Sequence, residues 1–291
     1  MKKQALGELF FVFDGGKNHK LLFNPAMAGS RFAYVKKFEV PDTLLPSTFM
    51  VLRLDGHSFH RFQSSFSDQH AFAKPNDSRA LELMDRAAKT LMEEYRDIRL
   101  AIGESDEYSF LLHKSTALYN RRQSKIVSTL TSLFTSSYVL HWPTFFPDVP
   151  LQYPPSFDGR IVLYPSEQQV RDYFAWRQTD THINNLYNTA FWALVLQGGQ
   201  TTTEAHATLR GTVSKDKHEI LFSRFGINYD KLEPRYRKGS IIVRVEETSV
   251  EAAELSGKQK SKAKTHTTLE LLHCDIIRDD FWEKYSHILK D

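Results

Sequence analysis

Cysteine is nearly absent from this chain. Cys274 is the only one in 291 residues, which leaves no intramolecular disulfide and no thiolate framework for zinc. Such a chain fits a reducing compartment. Excess charge is also lacking. The formal net charge is +3, so a nucleic-acid partner has to be met by local basic patches rather than by a basic chain overall. Long apolar runs are missing too: Phe191-Trp192-Ala193-Leu194-Val195-Leu196 is among the longest, far short of a membrane span, and no membrane partner is expected. Gly15-Gly16-Lys17 lacks the spacing of a P-loop, and His218-Glu219 has no second histidine at zincin spacing. No internal repeat is visible. Residues 1–26 carry four lysines, no arginine, and both Glu8 and Asp14, which is not the Arg-rich, acid-poor pattern of a transit peptide.

Two acidic elements carry the chemistry. Asp55 closes Val51-Leu52-Arg53-Leu54-Asp55-Gly56, a short apolar run that reads as a buried strand. Asp106 and Glu107 lie between two apolar stretches, Arg99–Gly103 and Tyr108–Leu112, which read as a hairpin. Strand ends and hairpin tips are costly places for unpaired carboxylates. Held on neighbouring strands, such carboxylates suit two magnesium ions and phosphoryl-transfer chemistry. Asp55, Asp106 and Glu107 are therefore the candidate catalytic acids. The alternative is that Asp55-Gly56 is an ordinary strand-ending turn and Ser105-Asp106 an ordinary hairpin tip.

The spacing of apolar residues predicts a strand over Phe49–Leu54 and a helix from Asp77 or Ser78 to about Tyr95. After the hairpin it predicts a long helix from Thr116 to Leu140 and a strand over Gly159–Tyr164. The order β-α-β-β-α-β is the ferredoxin-like pattern, an α+β palm of the polymerase or nucleotide-cyclase type, and it brings Asp55 and Asp106 to one edge of a small antiparallel sheet. The rest is mostly helical: Ser166–Leu196, Thr202–Leu209 and His218–Phe225. Strands are expected at Gly239–Glu246 and Thr268–His273, with a terminal helix near Phe281. Residues 251–265, rich in Lys, Ser and Ala, read as a loop. The expected division is an extension over 1–26, a palm over 27–165, and a helical region over 166–291 packed on the palm.

Around the acids lie candidate ligands for a nucleotide. Gly56-His57-Ser58-Phe59-His60 follows the first acid, and loop amides after a strand can cradle a triphosphate. Phe59 reads as core, and His60 either stacks on a base or packs. Lys74 suits a phosphate. Asn76 and Asp77 either cap the helix or read a base. Arg121, Arg122 and Lys125 form a basic cluster within about one turn, either a solvated face or a contact for RNA phosphates. His182-Ile183-Asn184-Asn185-Leu186-Tyr187-Asn188 is unusually polar for a buried helix start.

At these residues the chain resembles the eukaryotic tRNA(His) guanylyltransferases, from Met27-Ala28-Gly29-Ser30 to the C-terminus. The matching stretches include Arg53-Leu54-Asp55-Gly56, Phe59-His60-Arg61-Phe62, Phe72-Ala73-Lys74-Pro75-Asn76-Asp77 and Ser105-Asp106-Glu107-Tyr108. Phe157-Asp158-Gly159-Arg160, Trp176-Arg177-Gln178, His182–Asn188 and Asn228-Tyr229 continue the match. The resemblance implies addition of one guanosine to the 5′ end of tRNA(His): ATP adenylylates the 5′ phosphate, the GTP 3′-hydroxyl attacks it, and pyrophosphate is then removed. It implies two magnesium ions held by Asp55, Asp106 and the Gly56 carbonyl. Nucleotide contacts are implied for His60, Lys74, Asn76, Asp77 and Ser105. Arg53, Arg122, Lys125, Arg160, Lys217 and Asn228 match positions around a second triphosphate or the tRNA end, and His182 and Asn185 lie in the region tied to tRNA handling. His57 stands where an arginine is common. The implied partners are ATP, GTP and tRNA(His), in a homotetramer. The expected location is the cytoplasm, with nuclear or mitochondrial pools compatible. Rival readings are a nucleotide cyclase, a non-catalytic RNA-binding protein and a polymerase that repairs tRNA 5′ ends.

Overall fold

The computed structural model describes residues 30–59, 66–249 and 264–290. The extension over 1–26, His60, and most of the loop expected over 251–265 lie outside the described residues. Residues Met1–Pro41 and Asp42–Asp291 form two separate units. In the first, Ala33–Phe38 is a 3-10 helix. The second holds strands β1 (Phe49–Gly56), β2 (Ile98–Glu104), β3 (Glu107–Leu112), β4 (Phe157–Tyr164), β5 (Ser240–Ser249) and β6 (Lys264–Leu272). Its helices are α1 (Phe66–Gln69), α2 (Ser78–Glu94), α3 (Gln123–Phe145), α4 (Glu167–Leu196), α5 (Thr202–Leu209), α6 (Ser214–Phe225), α7 (Pro234–Lys238) and α8 (Asp279–Lys284).

The six strands make one sheet in the order β4-β1-β3-β2-β5-β6, with every neighbouring pair antiparallel. Its first four strands are the expected βαββαβ palm. β1 is central, and its residues 49–52 are buried on both faces, which is why that run is continuously apolar rather than alternating. One face packs on α2 and α3, where Leu52, Leu54, Phe110, Leu91, Leu130 and Phe134 share a core. The other face packs on the first half of α4 and on α8, through Val51, Leu100, Ile102, Val170, Phe174 and Trp282. The second half of α4 forms a further core with α5 and α6, centred on Leu186, Leu194, Leu209 and Leu221.

The C-terminal region does more than pack on the palm. β5 and β6 extend the palm sheet beyond β2, so both halves of the expected division belong to one unit from Asp42 onward. Buried Gln178 on α4 helps lock that join. Its amide donates to the carbonyls of Lys238 and Cys274, and its carbonyl oxygen accepts from the Ile276 N–H.

The long helix predicted from Thr116 starts later. Tyr119, Asn120 and Arg121 have φ of 49°, 54° and 58°, a left-handed run that non-glycine residues adopt only when held there. The Arg121 guanidinium supplies the hold. It is buried and donates to the carbonyls of Leu45, Thr48 and Thr116 and to Thr48 Oγ1. Asp42 then caps α3, accepting from the Ser124 N–H at 2.6 Å. Arg121 is thus no surface contact for RNA. A cluster read at helical spacing fails here because the first arginine precedes the helix and turns inward. Arg121→Ala is expected to lower the thermal midpoint by roughly 5 °C or more through orphaned carbonyls, with the salt dependence of tRNA binding unchanged. Melting curves and a salt titration beside Lys125→Ala check both.

Candidate active site

The register places Asp55 directly opposite Glu107 on β3 and opposite Asp158 on β4. Asp106 lies in the two-residue turn between β2 and β3, and its carbonyl accepts the Gly56 N–H at 2.9 Å. The two acidic elements therefore meet at adjacent strand ends. Gly56 makes the approach possible: a Cβ there would stand 2.9 Å from Asp106 Cβ and 2.5 Å from the Phe59 ring. Ser105, with φ of 51°, makes the turn tight.

Negative charge accumulates at this edge. Burial, and secondly the charge of Asp106, raise the Asp55 carboxyl above its ordinary value, with Arg53 and Arg160 opposing. Burial also raises Glu107, against the pull of Arg177 and Arg53. Glu104 is pushed up to about 7 by burial despite its bond to Thr181 and the nearby Arg177. Arg53 lies 3.9 Å from Asp55 and 3.6 Å from Glu107. Arg177 reaches both Glu104 and Glu107. Glu107 thus sits between two guanidinium groups, and Asp55, Asp106 and Glu107 all lie on the wall of one cleft. The carboxylates outnumber these cations, and the surplus is what an oxygen-preferring divalent ion would neutralise. Among the described residues no cluster of three or more His, Cys, Asp or Glu forms a ready-made cage. The donor set fits magnesium, which takes one or two carboxylates and completes its shell with water and phosphate.

Beside the carboxylates opens a cleft of about 820 Å³, of the size that takes a nucleotide. Asp55, Asp106, Ser105, Lys74, Asn76 and Asn185 are on its wall. Asp77 lines it too, but its carboxylate is occupied. It caps α2 and accepts from the Ala73 N–H, the Arg79 N–H and the Arg79 guanidinium. Burial pushes its pKa upward, but these bonds prevail and hold it low. Capping is therefore its structural role. The ammonium of Lys74 pairs with Asp68 at 3.0 Å and lies 5.3 Å from the Trp192 ring centre. Phe59 is core, stacked on Phe66 at 4.5 Å, and contributes to the cleft from beneath. His57 is exposed, with its N–H bonded to the Ser156 carbonyl. Ser58 turns the chain with φ of 64°.

The polar start of the second half of α4 now has a local explanation. Asn185 donates to Asn76 Oδ1 at 2.8 Å, and Asn188 donates to the Pro75 carbonyl at 2.6 Å. These side chains hold the loop that presents Lys74. Tyr229 donates to Asn185 Oδ1. His182 packs edge-on to Tyr229 and beside His218. Burial, and next His218, lower its pKa.

Other candidates lie apart from the cleft. Arg160 pairs with exposed Asp158 near Asp55. Lys217 donates to the Thr212 carbonyl, and Asn228 caps a 3-10 turn by accepting from the Asp230 N–H. Arg122 faces Asp42, and Lys125 lies over the Tyr119 ring. Both follow Arg121, which is bonded to Thr48 just before β1, whereas Asp55 is near the far end of that strand. Neither Arg122 nor Lys125 lines the cleft beside Asp55 and Asp106. The sequence reading missed Arg177 and Glu104. The available signal was an arginine inside an aromatic helical run, three residues before Asp180.

Comparison with known proteins is decisive. A family model described as tRNAHis guanylyltransferase matches residues 32–165, and one described as Thg1 C terminal domain matches 168–278. The chain belongs to the tRNA(His) guanylyltransferase family. Its relatives in the family include the tRNA(His) guanylyltransferase of Schizosaccharomyces pombe, 54% identical over 88% of this chain and 96% of that one. A probable tRNA(His) guanylyltransferase of Mus musculus is 52% identical over 91% and 90%. The crystal structure of the Saccharomyces cerevisiae enzyme superposes with a TM-score of 0.69 at 49% identity, covering 73% of this chain and 93% of that chain. A bacterial tRNA(HIS) guanylyltransferase-like protein in complex with ATP has the same fold, with a TM-score of 0.65 at 21% identity, covering 89% and 97%. In this family member Asn185 and Asn188 of α4 shape the cleft. Asn188→Ala is expected to speed amide exchange in residues 73–76 by about tenfold, as loss of one buried hydrogen bond implies, while α2 keeps its protection. Hydrogen-exchange mass spectrometry reads this directly.

Proposed function

We propose that this chain adds one guanosine to the 5′ end of tRNA(His). Membership of the family supports this, and the observation that carries it to particular residues is the pair Asp55 and Asp106 on adjacent strand ends beside a nucleotide-sized cleft. In this reading the 5′ phosphate attacks the α-phosphorus of ATP, releasing pyrophosphate and forming an adenylylated end. The 3′-hydroxyl of GTP attacks the tRNA phosphorus and expels AMP. The added nucleotide then carries a 5′-triphosphate, from which hydrolysis removes pyrophosphate.

Two magnesium ions, held by Asp55, Asp106 and the Gly56 carbonyl, would supply Lewis-acid stabilisation of the charge that develops on phosphoryl oxygens. The chain's own residues do the remainder. Lys74 offers a compact positive charge to a phosphate, exchanging Asp68 for it. The loop from Ala73 to Asn76, fixed by Asp77, Asn185 and Asn188, walls the nucleotide. Arg53 pairs with Glu107 and with Asp55 and so steadies the acidic edge.

The working unit in this proposal is a homotetramer whose site is completed from another copy. Arg122 and Lys125 match positions around a second triphosphate, yet neither lines the cleft beside Asp55 and Asp106 in one chain, which supports it. Among the described residues no helix is long and apolar enough to cross a membrane.

Incubation with labelled 5′-phosphorylated tRNA(His), ATP and GTP tests the activity. The wild type should yield adenylylated and then guanylylated tRNA. Asp55→Ala and Asp106→Ala should yield neither while still binding tRNA; adenylylated tRNA at the wild-type rate in either variant would sink the shared site. Gly56→Ala, which drives a methyl group against Asp106, should cut turnover by about 10²-fold in a folded protein. For the assembly, Asp106→Ala and Lys125→Ala chains should each be inactive alone and regain activity when co-folded. No regain would confine each site to one chain.

A further inference from the structure

Arg177 belongs to α4, in the C-terminal half, yet its guanidinium serves the palm. It is 6% exposed. Nη2 donates to Glu104 Oε1 at 3.2 Å and to Asp180 Oδ2 at 2.6 Å, and Nε lies 3.1 Å from Glu107 Oε1. That last contact is one of charge, since the buried Nε has no hydrogen-bond partner. Glu104 ends β2, Glu107 begins β3, and the two are register partners. Only Ser105 and Asp106 stand between them. One guanidinium therefore grips both flanks of the turn that carries Asp106. Its own plane is set from the other side by the Trp176 ring, 4.2 Å away.

A counter-charge role does not account for this arrangement. Asp55, Glu104, Asp106, Glu107 and Asp180 gather here against Arg53 and Arg177, so Arg177 leaves the edge negative. Stability is a weak explanation as well, because buried ion pairs contribute little over apolar residues of similar size. What a planar fork between two strand ends does supply is direction. It fixes the separation of the flanks, and through them the orientation of the turn, against the repulsion of its own carboxylates.

We propose that Arg177 is a positioning residue for the metal-bearing turn: α4 holds the Ser105-Asp106 turn, and with it the Asp106 carboxylate, in the geometry that binds the divalent ion. This rests on the reading of Asp106 as a metal ligand. Arg177 then sets the metal affinity of the palm through Glu104 and Glu107.

The test uses the full chain, with Mn²⁺ binding read by electron paramagnetic resonance in the presence of GTP, and turnover read separately. Arg177→Lys keeps the charge and loses the fork. Arg177→Met combined with Glu104→Gln removes one charge of each sign, so that a folding failure of Arg177→Met alone does not matter. Both should keep the parent's oligomer size and melt within a few degrees of it. Both should bind Mn²⁺ about 10-fold or more weakly, the range for residues supporting metal ligands, and kcat should fall in step and recover partly at raised Mg²⁺. The assignment is overturned if both variants bind Mn²⁺ and turn over like the parent, or if only the melting temperature moves. Asp106→Ala separates the two ideas. If it binds Mn²⁺ as tightly as the parent, the metal reading of Asp106 fails and takes this proposal with it. If it loses Mn²⁺ while the Arg177 variants do not, the role of Arg177 alone is refuted.

Discussion

Crowding of carboxylates at one edge of a central sheet is the constraint around which this structure is organised. The register that pairs Asp55 with Glu107, and the turn that sets Asp106 beside Gly56, bring like charges together in a partly buried place. Burial raises Asp55, Glu104 and Glu107 alike, so the site resists ionisation unless cations are supplied. Arg53 and Arg177 are supplied from the chain, and both are directed at Glu107. Glu104 and Glu107 meet Arg177, and Asp55 and Asp106 add to the negative charge of an edge that suits an ion arriving with a phosphate.

α4 is the mechanical counterpart of that edge. At 1.5 Å per residue its 30 residues reach about 45 Å, enough to pass under the sheet, cross the Ser105-Asp106 turn and continue to the loop that presents Lys74. Val170 and Phe174 seat it on the sheet. One turn on, Arg177 reaches Glu104 and Glu107. Two turns further, Asn185 and Asn188 hold Asn76 and the Pro75 carbonyl. The helix then ends in its own small core with α5 and α6. Its amphipathicity changes direction along its length because it serves different partners in succession, which is why it reads as a mixture of polar and aromatic residues rather than as one clean stripe.

The palm was legible in the sequence because its signals are local. A doubly buried strand shows as a continuous apolar run, a hairpin as two such runs around a turn, and α2 as residues such as Met84, Ala88 and Leu91 at helical spacing. The acids were legible because they interrupt those runs where only a turn or a ligand makes them affordable. Arg121 was misread because three left-handed residues displace it from the helix whose spacing it shares, and a buried arginine has the same letter as a solvated one. Arg177 was overlooked because its partners lie about 70 positions earlier in the chain, on strand ends that only the tertiary fold brings to α4. The joining of β5 to β2 was hidden for the same reason: a strand's period shows that it pairs, not with whom.

These non-local contacts decide where the cooperative boundaries fall. Two family models meet between residues 165 and 168, at the end of β4, and a reader of sequence would cut the protein there. Besides the apolar packing of α4 and α8 on the sheet, the interactions that cross that line include backbone pairing of β5 with β2, the Arg177 contacts to the flanks of the Ser105-Asp106 turn, and the asparagine contacts to the loop that presents Lys74. The palm thus supplies the carboxylates but only part of the means of holding them in place. A palm cut at residue 165 would expose the β2 edge, leave Glu104 and Glu107 without Arg177, and free the loop that presents Lys74. The C-terminal half is therefore part of the candidate active site, even though neither Asp55 nor Asp106 belongs to it.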